Sequence, residues 1–131
     1  MKTLLIIIAS TLSMLYHCGS ESETKQFDFI IAVDSIVHPQ QVMLKDTITV
    51  KFYGKVGAWY SRQFKHIDIV QKDDSLILTA VGAWYSVIDY RKDTYLDGME
   101  RKFLARRTGM LHIKVRQPDG VKPIEHSIVV D

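Results

Sequence analysis

Met110 to Gln117 (MLHIKVRQ), then Pro118-Asp119-Gly120, then Pro123 to Val130 (PIEHSIVV) close the 131-residue chain and decide its fold class. In the first segment Leu111, Ile113 and Val115 alternate with His112 and Lys114, the two-residue period of a half-buried strand. Pro118 presets φ for a reverse turn and Gly120 tolerates positive φ, so the chain folds back. The second segment is again rich in β-branched residues. The three pieces spell an antiparallel hairpin.

The same pattern extends upstream. Asp46 to Tyr53 (DTITVKFY) places Ile48, Val50 and Phe52 on one face and Thr47, Thr49, Lys51 and Tyr53 on the other. Phe64 to Gln71 (FKHIDIVQ) alternates Ile67 and Ile69 with polar neighbours, Lys72 to Ser75 is a turn, and Leu76 to Val81 resumes a strand. Phe27 to Val37 (FDFIIAVDSIV) reads as a first strand ended by His38-Pro39. Val87 to Tyr90 and Lys102 to Arg106 are weaker strands with Asp97-Gly98 as a tight turn between them. No stretch carries the 3.6-residue period of a helix over the required length. About seven or eight short strands with regular turns predict an all-β, antiparallel sandwich over 27–131. Ile48, Val50, Phe52, Ile67, Ile69, Leu111, Ile113 and Val115 are its expected core.

The N-terminus carries an address. Lys2 precedes the apolar run Leu4 to Leu15 (LLIIIASTLSML), which ends at Tyr16-His17-Cys18. A basic start and about a dozen apolar residues make a secretory signal, too short for the roughly 20 residues of a comfortable membrane span. Residues 1–17 are expected to be the signal peptide and 18–26 a polar tether. Without the signal about 113 residues remain, enough for one domain and one modest core.

Leu15-Tyr16-His17-Cys18-Gly19-Ser20 resembles a bacterial lipobox, with Leu15 at the family's position three before the cysteine and His17 where a small residue is usual. The resemblance implies cleavage before Cys18, lipidation of Cys18 and a membrane partner through that anchor. Glu21-Ser22-Glu23 resembles the acidic export tags of some Gram-negative lipoproteins, which implies the outer membrane. Asp46-Thr47-Ile48-Thr49-Val50 and Gly109 to Val115 resemble early and late strands of immunoglobulin-like domains in bacterial envelope proteins. That likeness implies a fold and no activity.

Composition narrows the partners. The formal charge is +2, and loss of Lys2 leaves about +1, so no field draws nucleic acid. Cys18 is the only cysteine, so no internal disulfide can form. Four of the five histidines, His38, His66, His112 and His126, are scattered along the expected strands and turns. His66 and Asp68 share a strand face, and a metal site there would need a third ligand such as His112 or His126. No phosphate loop, nucleophile elbow or HExxH helix occurs, so neither a catalytic set, a metal nor a cofactor is expected. The mixed-charge run Asp89 to Arg107 reads as a solvated hairpin with cross-strand ion pairs.

One motif stands out. Val56-Gly57-Ala58-Trp59-Tyr60-Ser61 recurs as Val81-Gly82-Ala83-Trp84-Tyr85-Ser86, and the two copies hold both tryptophans. A hairpin turning at Lys72 to Ser75 sets Gln71 opposite Leu76 and, counted outward, Phe64 opposite Ala83. The copies are therefore expected to meet at one end of the sandwich. Trp59, Tyr60, Trp84 and Tyr85 there form either an aromatic binding platform or a plug for the core. The chain thus reads as a lipid-anchored, non-catalytic binding module of the bacterial envelope, with a protein or glycan partner. The alternative is a structural accessory subunit of a larger envelope complex.

Overall fold

Val, Ile, Thr and Phe alternating with polar residues favour pleated, half-buried backbone, and the computed structural model is all-β. It describes residues 26–58, 61–85 and 93–131. The signal segment, Cys18, the tether up to Lys25, Trp59, Tyr60 and the expected strand Val87 to Tyr90 lie outside the described residues, and Gln26, expected to end the tether, opens β1. The strands are β1 (Gln26–Ile30), β2 (Ser35–Val37), β3 (Gln41–Val42), β4 (Thr47–Tyr53), β5 (Lys55–Ala58), β6 (Arg62–Lys72), β7 (Ser75–Tyr85), β8 (Asp93–Tyr95), β9 (Met99–Leu104), β10 (Gly109–Val115) and β11 (Ile124–Val130).

Strand β7 is the spine of the larger sheet. One edge pairs along its length with β6, through a turn at Asp73-Asp74 in which Asp73 takes φ 54°. The other edge is shared end to end. Ser75 to Leu78 pair in parallel with His112 to Val115 of β10, and Val81 to Tyr85 pair antiparallel with β1. The handover is continuous: Ile31 N–H donates to the Ala80 carbonyl, and Arg116 N–H to the Leu78 carbonyl, each at 2.8 Å. Beyond β10 come β11, antiparallel, and β3, parallel to β11. The second layer is β2-β4-β9 with the short pair β5-β8.

The expected all-antiparallel, immunoglobulin-like sandwich is corrected by the two parallel pairs. After β7 the chain crosses into the second layer as β8 and β9, then re-enters the first sheet at the end where β7 began. A strand that returns by such a crossover runs parallel to the one it left. The C-terminal hairpin is as expected, from Gly109 opposite Val130 to Val115 opposite Ile124.

The first expected strand is divided. β1 belongs to the large sheet and β2 to the small one, and Ile31 to Asp34 carry the chain between layers. Ile31 and Val33 stay buried there. Gly54, at the break between β4 and β5, lets this crossing pass: a Cβ on it would lie 2.6 Å from the Ala32 carbonyl oxygen. Asp97-Gly98 is a turn, but not of a hairpin. β8 pairs with β5 and β9 with β4, so these two residues, at φ 46° and 81°, form an irregularity in one long ribbon.

Ile48, Val50 and Phe52 of β4 pack against Leu78, Ala80, Ile113, Val115 and Ile128 of the larger sheet, all buried. Ile67 is buried too, while Ile69 and Leu111 are partly buried at the margin of this core.

Candidate functional site

The two copies of the repeat meet at the end of β7, through backbone first. Tyr85 N–H donates to the Ser61 carbonyl at 2.8 Å, and Arg62, the next residue, pairs with Trp84. The hairpin count is correct from Gln71 opposite Leu76 to His66 opposite Val81. A bulge between Phe64 and His66 then moves Gln63, not Phe64, opposite Ala83. The extra residue, Lys65, reaches Asp28 of β1 at 3.0 Å.

On the face of β7 that continues from Leu78 and Ala80, the next positions are Gly82 and Trp84. Their partners are Phe29 and Phe27 on β1, and Phe64 and Arg62 on β6. The core thus runs outward as a row of rings. Phe29 and Phe64 are half-buried, whereas Trp84 is 36% and Phe27 54% exposed. The Phe27 and Trp84 rings touch, with centroids 5.6 Å apart and a 34° tilt.

The glycines of the two copies act alike. The Arg62 guanidinium carbon lies 5.3 Å from the centre of the Phe29 ring, a cation–π contact. A Cβ on Gly57 would meet Arg62 Cδ at 2.5 Å, and a Cβ on Gly82 would meet Phe29 Cζ at 2.5 Å. One glycine from each copy therefore makes room for one member of the stack. The valines act alike too, since Val56 and Val81 are both buried.

Polar contacts hold the β5–β8 side of this end. The Thr94 hydroxyl donates to the Gly57 carbonyl at 3.0 Å, with the Arg62 carbonyl 3.3 Å away. Lys55 pairs with Asp93 at 2.9 Å. That hydrogen bond, with the attraction of the carboxylate, holds the Lys55 ammonium above its ordinary pKa. Lys51 and Glu100 make another cross-strand pair at 3.9 Å, so Asp93 and Glu100 of the expected Asp89–Arg107 hairpin pair across strands instead with lysines of β5 and β4, outside that run.

Of the four aromatic residues singled out by sequence, Trp84 lies in this row. Tyr85, half-buried, follows it on the strand and so projects from the opposite face, so the two do not form one platform. Sequence reasoning missed Phe27, Phe29 and Arg62. The alternation of Phe27, Phe29 and Ile31 carried the signal, but its partner strand could not be read locally.

His66 Nε2 and Asp68 Oδ1 are 2.7 Å apart, as their shared face suggested. Among the described residues no group of three or more His, Cys, Asp or Glu gathers around them or elsewhere. No protein-family model matches the chain, and no curated protein or solved structure is detectably similar to it.

Proposed function

We propose that the chain is a lipid-anchored, non-catalytic binding module of the bacterial cell envelope, with the Phe27–Trp84 end as its docking surface. The observation that carries this reading is the ring pair itself. Two large aromatic side chains on the core-facing side of the sheet stay open to solvent where the core ends. Exposed contiguous apolar surface of this kind marks interaction sites, and aromatic residues dominate binding hot spots. Arg62 beside them adds a cation and planar hydrogen-bond donors, which suits a protein segment or a glycan. The lipid anchor rests on the sequence around Cys18, and the outer membrane on the acidic residues after it.

The experiment has two arms. Cys18→Ala should move the protein from the membrane to the soluble fraction of cells; unchanged fractionation sinks the anchor. Trp84→Ala should abolish capture of an envelope partner while leaving a cooperative thermal melt; intact capture by a folded variant sinks the docking surface.

A structural accessory subunit is the second reading. It is favoured by β6, eleven residues long, whose outer edge pairs with no strand among the described residues. Such an edge can accept a strand from another subunit.

A further inference from the structure

His38, just after β2, and His126, within β11, are 88 positions apart in sequence, yet His38 Nε2 and His126 Nδ1 stand 2.8 Å apart. Their ring centroids are 5.0 Å apart and the planes cross at 61°. His38 Nδ1 lies 2.8 Å from the Pro39 carbonyl oxygen. A carbonyl only accepts, so Nδ1 carries the proton and Nε2 presents a lone pair to His126. Metal-bound histidines are oriented in this way, with the other ring N–H held by a carbonyl or carboxylate. His126 is held by a strand. Its cross-strand partner is Ile113, so it leaves β11 on the face that carries Ile124 and Ile128, toward the layer of β2.

We propose that His38 and His126 together bind a divalent transition-metal ion of the copper, nickel and zinc class. The ion replaces the proton that the two rings share but sits to one side of the nitrogen–nitrogen line, so each ring turns about its side-chain bonds to aim its lone pair at it. Neutral His126 moves that proton to Nε2, so both facing nitrogens offer lone pairs and no net charge is lost. Bonds of about 2.0–2.1 Å set two nitrogens about 2.8–3.4 Å apart, from a right angle at the metal to a tetrahedral one. The observed 2.8 Å separation lies at the lower end of that span. Imidazole suits these borderline ions and not calcium or magnesium, which take oxygen ligands. Solvent completes the coordination, since no third His, Cys, Asp or Glu joins them among the described residues. The site is therefore an open, exchangeable one. It would tie the chain after β2 to the C-terminal hairpin.

Among the described residues His66 with Asp68 and His112 with Asp74 are competing imidazole sites, and each offers a single nitrogen. Electron paramagnetic resonance of the full chain in detergent micelles, titrated with copper(II), separates them. The first equivalent should couple to two nitrogens. His38→Gln and His126→Gln should each remove one nitrogen and weaken binding by about tenfold or more, while His66→Gln changes neither. Zinc should raise the melting temperature of the parent and leave that of His126→Gln unmoved, because an ion bound only by the folded state stabilises it by mass action. Both histidines make their contact at the surface, so the metal-free variants should melt as the parent does. A first-equivalent spectrum unchanged by His38→Gln and His126→Gln, or lost in His66→Gln, overturns the proposal.

Discussion

The side-chain amide of Gln117 pairs with both backbone groups of Val33. Val33 N–H donates to Gln117 Oε1 at 2.9 Å, and Gln117 Nε2 donates to the Val33 carbonyl at 2.7 Å. Val33 sits where the chain crosses between sheets and is 4% exposed, so its polar groups have neither a strand partner nor ready access to water. Gln117, just past β10, supplies one donor and one acceptor in place of a neighbouring strand.

Replacing Gln117 tests this. Gln117→Leu keeps much of the bulk and leaves two backbone groups unpaired, so it should cost about 1–3 kcal/mol. Gln117→Asn has the same groups on a shorter arm and should recover little. Urea denaturation of both variants checks the loss. A Leu variant as stable as the parent would mean that water serves Val33 equally well.

The glycines beside the Arg62–Phe29 stack make a second test. Gly82→Ala forces a Cβ into the Phe29 ring and should destabilise by about 1–3 kcal/mol. In a Phe29→Ala background the same change should cost less, because the ring clash has gone and only the Gln63 carbonyl oxygen, 3.0 Å from the added Cβ, remains. A double-mutant cycle by thermal melt measures the coupling, and additive losses would refute the stack.

The alternation along β4 and β10 sets a third expectation. Phe52→Ala empties a fully buried position and should cost about 3–5 kcal/mol. Lys114→Ala lies on the exposed face of β10 and should stay within about 0.5 kcal/mol. Similar losses at both sites would show the register to be misassigned.

Lys55 and Asp93 give a pH dependence. The folded-state pKa of Lys55 is raised above the ordinary 10.5. The stabilisation is then fully present below that value and lost as pH rises through the folded pKa. The pair is exposed, so the effect on stability is small. Nitrogen-detected NMR of the lysine side chain should show the titration of Lys55 move down in Asp93→Asn. An unmoved titration would show that the pair does not form in solution.

Some of the site was legible and some was not, for identifiable reasons. The hairpin count brought the two repeats to one end, and Tyr85 does reach Ser61. It erred by one residue because Lys65 bulges out of the ladder, and an inserted residue leaves no mark on local alternation. Arg62 escaped notice because an arginine next to a turn is ordinary until Phe29 is placed under it. The pairing of His38 with His126 escaped for the same reason, since β2, which leads into His38, and β11 belong to different layers.

Alternation and turn chemistry depend on residues within a few positions of one another. The sequence by itself therefore determined that the chain is all-β, which faces of β4, β6 and β10 turn inward, and where the C-terminal hairpin bends. It also determined the charge balance and the single cysteine behind the apolar run. Which strand fills which edge is a long-range matter. β1 covers only part of the edge of β7, and β10, arriving by a crossover, takes the remainder in parallel. Side-chain alternation has the same period in either strand direction, so only the tertiary structure could decide it. The same packing decided which aromatic rings are left at the open end of the core.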